Sequence, residues 1–299
     1  MSIPALLILT GCAADLTVRN TQVVWNSDMK FAATTIANVG TRRSDATAVY
    51  FDGDENPVSQ NYRPQVQAEV GPLEPGQSVT RVANLAPLAR AENSFLANVF
   101  AITVRADPKN LIREGDEGNN TEQRPVAGSA YTCIDFNSIP TGTRYGTPAG
   151  QAPGTVVISQ GGARVTVENF SFIGGGGTFM FARVDAATPN FGSGNVLHVN
   201  NINLDFDFTD VTPPVKQVVL KYADVGGFEN LAVNGSPSPI YAGELVAAPS
   251  PMGGAIVAST SAAIPGGKRG AFAAIDLAGT IGHLRVGGQE FFLDDVCFR

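Results

Sequence analysis

The chain has 299 residues, enough for two ordinary domains, and 43% of them are hydrophobic, so each half can bury a core. Only 16% are charged and the formal net charge is −7, which argues against a nucleic-acid partner, since that would want a basic face. No apolar run reaches the roughly eighteen residues of a membrane-spanning helix, and 33 glycines with 19 prolines point to many turns between short strands.

Residues 1–12 end in Leu9-Thr10-Gly11-Cys12 and read as a signal segment: an apolar run, then small residues before a cysteine. This end resembles the lipobox of bacterial lipoproteins. The resemblance implies lipidation at Cys12 and a membrane contact through that anchor alone. No Lys or Arg precedes the apolar run, unlike the lipoprotein pattern, so a buried first strand ending in an ordinary thiol is the other reading.

From residue 13 to 126 apolar and polar residues alternate in short segments. Predicted strands cover 15–19, 22–25, 30–40 and 46–51, the last ending at the turn signal Asp52-Gly53-Asp54. Others cover 65–70, 77–82 and 94–104, with a further strand after Asn120. About seven short strands with regularly spaced turns describe an immunoglobulin-like sandwich.

Three motifs in this half occur in order: Asn38-Val39-Gly40 after an alternating strand, Leu73-Glu74-Pro75-Gly76-Gln77-Ser78, and the stretch from Asp107-Pro108-Lys109-Asn110 to Glu117-Gly118-Asn119-Asn120. Together they resemble the CARDB family, the cell-adhesion-related domain of bacterial surface proteins. The resemblance covers roughly residues 14–126 and implies an Ig-like fold on an exported protein, without implying a ligand. The acidic stretch Glu114, Asp116, Glu117, Asn119, Asn120 offers hard oxygen donors for calcium, but the EF-hand spacing is absent and a tight turn explains the same residues.

Residues 127–130 form a linker, and residues 131–299 change texture, with denser glycine and sparser charge. About a dozen short antiparallel strands are predicted there, among them 203–208, 217–222, 231–234, 283–286 and 290–298. They suggest a jelly-roll β-sandwich, making the whole chain all-β. In the strand Asn203–Phe208 the polar residues Asn203, Asp205 and Asp207 share one face, which reads as a solvated sheet face. The closing stretch Gln289-Glu290-Phe291-Phe292-Leu293-Asp294-Asp295-Val296 loosely resembles the last strand of carbohydrate-binding jelly rolls, many of which hold structural calcium.

Cys133 and Cys297 bracket this second domain. A disulfide between them would close a very long loop, worth ~4–5 kcal/mol by chain entropy, and would suit an exported protein. If the two cysteines face each other on adjacent antiparallel strands, Ile134 faces Val296 and Asp135 faces Asp295. Opposed carboxylates repel, so a calcium ion between Asp135 and Asp295 is one resolution and simple hydration another. Asp294 points away if the strand is regular.

No HExxH, GxSxG or phosphate-loop pattern occurs, and the two histidines, His198 and His283, sit in different surroundings, so no catalytic residue is assigned and no cofactor is required. Tyr145 and Tyr241 are the candidate rings for stacking on a sugar. The expected function is a non-enzymatic, exported surface binding or adhesion protein, with an Ig-like stalk and a sandwich that binds a glycan or matrix polymer. A self-associating structural subunit of a surface layer or fibre, and a glycan hydrolase on a jelly-roll scaffold, are the alternatives.

Overall fold

The computed structural model describes residues 13–25, 29–55, 65–90, 99–126, 131–188 and 190–299. The signal segment with Cys12 and the linker 127–130 lie outside the described residues. The chain divides into two compact units, with the boundary between Gly128 and Ser129.

The first unit contains β1 (Leu16–Trp25), β2 (Lys30–Asn38), β3 (Thr47–Glu55), β4 (Gln65–Val70), β5 (Ser78–Asn84), the short helix α1 (Ala86–Arg90), β6 (Val99–Ala106) and β7 (Thr121–Pro125). Two antiparallel sheets, ordered β1-β2-β5 and β4-β3-β6-β7, enclose one core that includes Leu16, Ile36, Phe51, Ile102 and Val104. Seven strands in two sheets match the Ig-like expectation.

The motif residues of this unit act as staples. Asn38 is fully buried; its Nδ2 donates to the carbonyls of Arg42 (2.7 Å) and Leu73 (2.9 Å), while its Oδ1 accepts from Gly40 N (3.0 Å) and Asp15 N (3.2 Å). A side chain at Gly40 would collide with the Ala13 carbonyl oxygen, so only glycine fits where the chain passes this close. Asp107 is buried and accepts from Thr47 Oγ1 and from Ile112 N, each at 2.8 Å. Glu114 Oε2 accepts from Leu16 N (2.9 Å), and Asn119 Nδ2 donates to Asp15 Oδ1 (2.9 Å). The acidic stretch therefore ties the turn before β7 to β1, as the turn reading expects.

The second unit contains β8 (Thr132–Ile134), β9 (Arg144–Gly146), β10 (Thr155–Gln160), β11 (Ala163–Glu168), β12 (Phe170–Ser171), β13 (Gly177–Thr178), β14 (Phe181–Thr188) and β15 (Phe191–Asn200). It continues with β16 (Ile202–Asp207), β17 (Gln217–Val233), β18 (Ser236–Gly243), β19 (Ile256–Ile264), β20 (Gly267–Ile275) and β21 (His283–Phe298). One continuous sheet runs β10-β11-β16-β21-β15-β14-β9, and β17 joins it through β21 while also pairing β18 and β20. It folds round a core of Phe136, Val165, Phe206, Leu220, Phe272, Phe291 and their neighbours.

Two segment pairs predicted as separate strands are single long strands. Residues 217–222 and 231–233 belong to β17, and 283–286 and 290–298 belong to β21. The bulges of β17 against β21, on either side of Gly226, bend the strand without ending it, so glycine here marks a bend and not a stop. The polar stripe of β16 is also less open than expected. Asn203 is buried and donates to Asn169 O (2.7 Å), while Asp205 and Asp207 face Arg285 and His283 of β21 across the ladder.

Candidate functional site

Strands β17, β20 and β19 lie side by side, and their two faces carry different chemistry. Residues opposed in the ladders are Lys221 with Ala271, Ala271 with Thr260, and Ala223 with Arg269. Side chains two apart share a face, so Lys221, Thr260 and Arg269 project together. With Phe191 and Ser193 of β15 they line an open groove of about 500 Å³. That volume is within the range of small-ligand sites.

The groove is polar with an apolar end. Phe191 packs on Val196 and Ala223. Arg269 is exposed and donates to Asn190 O (3.3 Å); Lys221 donates to Asp295 Oδ2 (2.7 Å). Beneath Ser193 lies the fully buried Asp294, whose Oδ2 accepts from Ser193 N at 3.0 Å. Burial, and then the neighbouring Asp295, push the Asp294 carboxyl up to about 6. The arrangement offers hydroxyls, a guanidinium and an ammonium over an apolar wall, which suits an oxygen-rich ligand bearing negative charge.

The other face of the same strands carries acids. Asp224 and Glu229 of β17 and Glu244, just past β18, each place one carboxylate oxygen within 4.8 Å of the others. Asp224 Oδ1 accepts from Gly226 N (3.0 Å) and Glu229 Oε2 from Leu245 N (3.3 Å). Lys268 Nζ donates to Glu244 Oε2 (2.6 Å) and lies 3.8 Å from Asp224 Oδ2. Burial raises Asp224 and pushes Glu229 up to about 8, with the neighbouring acids adding to both shifts.

The residues singled out from the sequence are placed as follows. Cys133 and Cys297 form the disulfide and face each other on β8 and β21, with Ile134 opposite Val296. The ladder ends there and does not extend to Asp135. Asp295 adopts a left-handed backbone (φ 46°) at a bulge of β21, and its carboxylate pairs with Lys221. Asp135 Oδ1 instead accepts from Asn137 N (3.2 Å). The bulge breaks the regular alternation on which the pairing of these acids rested, and Asp294 beside it is fully buried.

Tyr145 is buried in the core, with 7% of its surface exposed, and Tyr241 packs against that core while its hydroxyl donates to Glu244 O (2.9 Å). His198 stacks on Phe292 with centroids 4.5 Å apart, and His283 Nδ1 lies 3.1 Å from Asp205 Oδ2. Sequence reasoning did not find the trio Asp224, Glu229 and Glu244. An odd spacing of five predicts opposite faces for the first two; the Gly226-Gly227 pair between them is the signal that alternation fails there.

Residues 9–124 match the CARDB family. Among solved structures, β-glucosidase 3B from Thermotoga neapolitana in complex with α-D-glucose is 15% identical, over 38% of this chain and 16% of that one, with a TM-score of 0.26. The secreted serine protease VesC from Vibrio cholerae is 11% identical, over 95% of this chain and 51% of that one, with a TM-score of 0.18. The chain thus spans about half or less of either protein, and likenesses this weak carry no argument about its fold or function. No curated protein matches it.

Proposed function

With a CARDB domain at residues 9–124 as the premise, we propose that this is an exported, non-enzymatic surface binding protein. The CARDB domain is the observation that carries the reading, because such domains occur in bacterial surface proteins. In this reading the first unit is a stalk, lipidated at Cys12, and the second unit holds the ligand. The Cys133–Cys297 disulfide supports an oxidising compartment outside the cytoplasm.

The ligand is a glycan or matrix polymer carrying carboxylates or sulfates, held in the groove of Lys221, Thr260 and Arg269. Sugar hydroxyls suit Ser193 and Thr260, and an acid group suits the guanidinium of Arg269. The experiment is a binding panel in which the full-length chain meets immobilised polygalacturonate, a sulfated glucan and a neutral glucan. The expected result is salt-sensitive retention on the acidic polymers alone. Absence of retention on all three, with sedimentation showing self-association, would replace this reading by that of a structural subunit.

A further inference from the structure

We infer that the carboxylates of Asp224, Glu229 and Glu244 form a calcium site in the second unit. Among the described residues these three are the one group whose ligand atoms converge closely enough to hold a metal ion. A cluster of acids alone says little, since acids gather on many surfaces. This one is internal: Glu229 is 1% exposed and Asp224 6%. The Oε1 atom of Glu229 is buried with no hydrogen-bond partner among the described residues. A buried, unpartnered carboxylate oxygen is costly unless something positive meets it.

The backbone is shaped to make this convergence. In a regular strand, residues 224 and 229 would stand ~16 Å apart and on opposite faces. Bulges on either side of Gly226 shorten and turn β17, and Gly227 takes φ +83°, so both carboxylates reach one point. Glu244 approaches from the end of β18, which pairs with this part of β17 through Glu229 and Gly243. Main-chain N–H groups of Gly226 and Leu245 hold two of the carboxylates in orientation.

Charge completes the argument. Among the described residues Lys268 is the one cation in contact with the cluster, touching Glu244 and standing 3.8 Å from Asp224. With all three carboxylates ionised, as metal ligation requires, one ammonium leaves an excess of two negative charges, which a divalent ion balances. Oxygen-only donors favour a hard cation. Calcium suits the site better than magnesium, because it accepts irregular geometry and completes its shell with water. The inference does not rest on the glycan-binding reading, since the acids lie on the face opposite Lys221 and Arg269.

The test is calorimetric titration of the chelator-treated full-length chain with calcium chloride, together with its melting temperature. One calcium per chain is expected, with a higher melting temperature when it is bound. Magnesium should bind at least tenfold more weakly. Glu229→Gln should abolish binding, and Glu244→Gln, at the more exposed edge, should weaken it at least tenfold while the chain stays folded. Asp135→Asn should bind as the parent does. No saturable binding up to ~10 mM calcium, well above the range of extracellular sites, would overturn the inference. So would unchanged affinity in a folded Glu244→Gln variant.

Discussion

Single residues of the first unit show how a family motif can be structural in full. Asn38 spends two donors and two acceptor contacts on four backbone groups, and Asp107 spends both carboxylate oxygens inside the fold. Replacing Asn38 by alanine strands several buried partners at once. The expected cost is roughly 2–4 kcal/mol, read by chemical denaturation of the full-length chain. An unchanged midpoint would remove Asn38 from the account.

Glu114 gives the first unit a pH signature. Burial raises its carboxyl to about 7, with Glu117 and Asp107 adding repulsion against the lowering contacts from Leu16 N and Asn120. Its folded pKa lies above the ordinary value of 4.5, so the folded chain holds the proton more tightly than the unfolded chain. This residue's contribution to stability is therefore greatest below about pH 4.5 and falls as pH rises toward 7. Glu114→Gln keeps an acceptor for Leu16 N and should flatten that decline. Thermal melts of parent and variant from pH 4.5 to 7.5 check it; parallel curves would contradict it.

Strands β17 and β21 carry the chemistry of the second unit, and both do so through irregularity. A bulge in β21 turns Asp295 onto Lys221 while Asp294 stays buried, and bulges in β17 gather Asp224 and Glu229. Gly227 has a positive φ, and a side chain there would press on Gln289. Gly227→Ala should thus cost about 1–3 kcal/mol and weaken calcium binding together with it. Retained stability with full calcium affinity would show that the bend is not what places the acids.

These irregular places are also where the sequence stops being readable. Alternation of apolar and polar residues is enough to find most strands, and the pairing of Cys133 with Cys297 follows in register as far as Ile134 and Val296. Each bulge then shifts which side chains meet. Asp135 and Asp295 take other partners, Asn137 N and Lys221, and Asp224 and Glu229 converge. Tyr145 illustrates a second limit, because a turn-flanking tyrosine gives no local sign of whether its ring faces water or core.

At the scale of the molecule, each unit has its own core and the second is closed by a disulfide spanning 164 residues of sequence. By loop entropy, Cys297→Ala should lower the stability of the second unit by about 3–5 kcal/mol, seen as an earlier unfolding midpoint. Thiol reduction of the parent should reproduce that shift. The second unit carries different chemistry on two faces of one set of strands: a groove with Arg269 and Lys221 on one, an acid cluster on the other.

The central claim is that this groove holds an acidic glycan. It is tested most directly by titrating the full-length chain and its Arg269→Ala variant with an oligomer of galacturonate. Losing one charge-assisted contact of ~1.5–3 kcal/mol should weaken binding at least tenfold in the variant, with the melting temperature unchanged. Equal affinity of the two chains, or no binding by the parent, would contradict it.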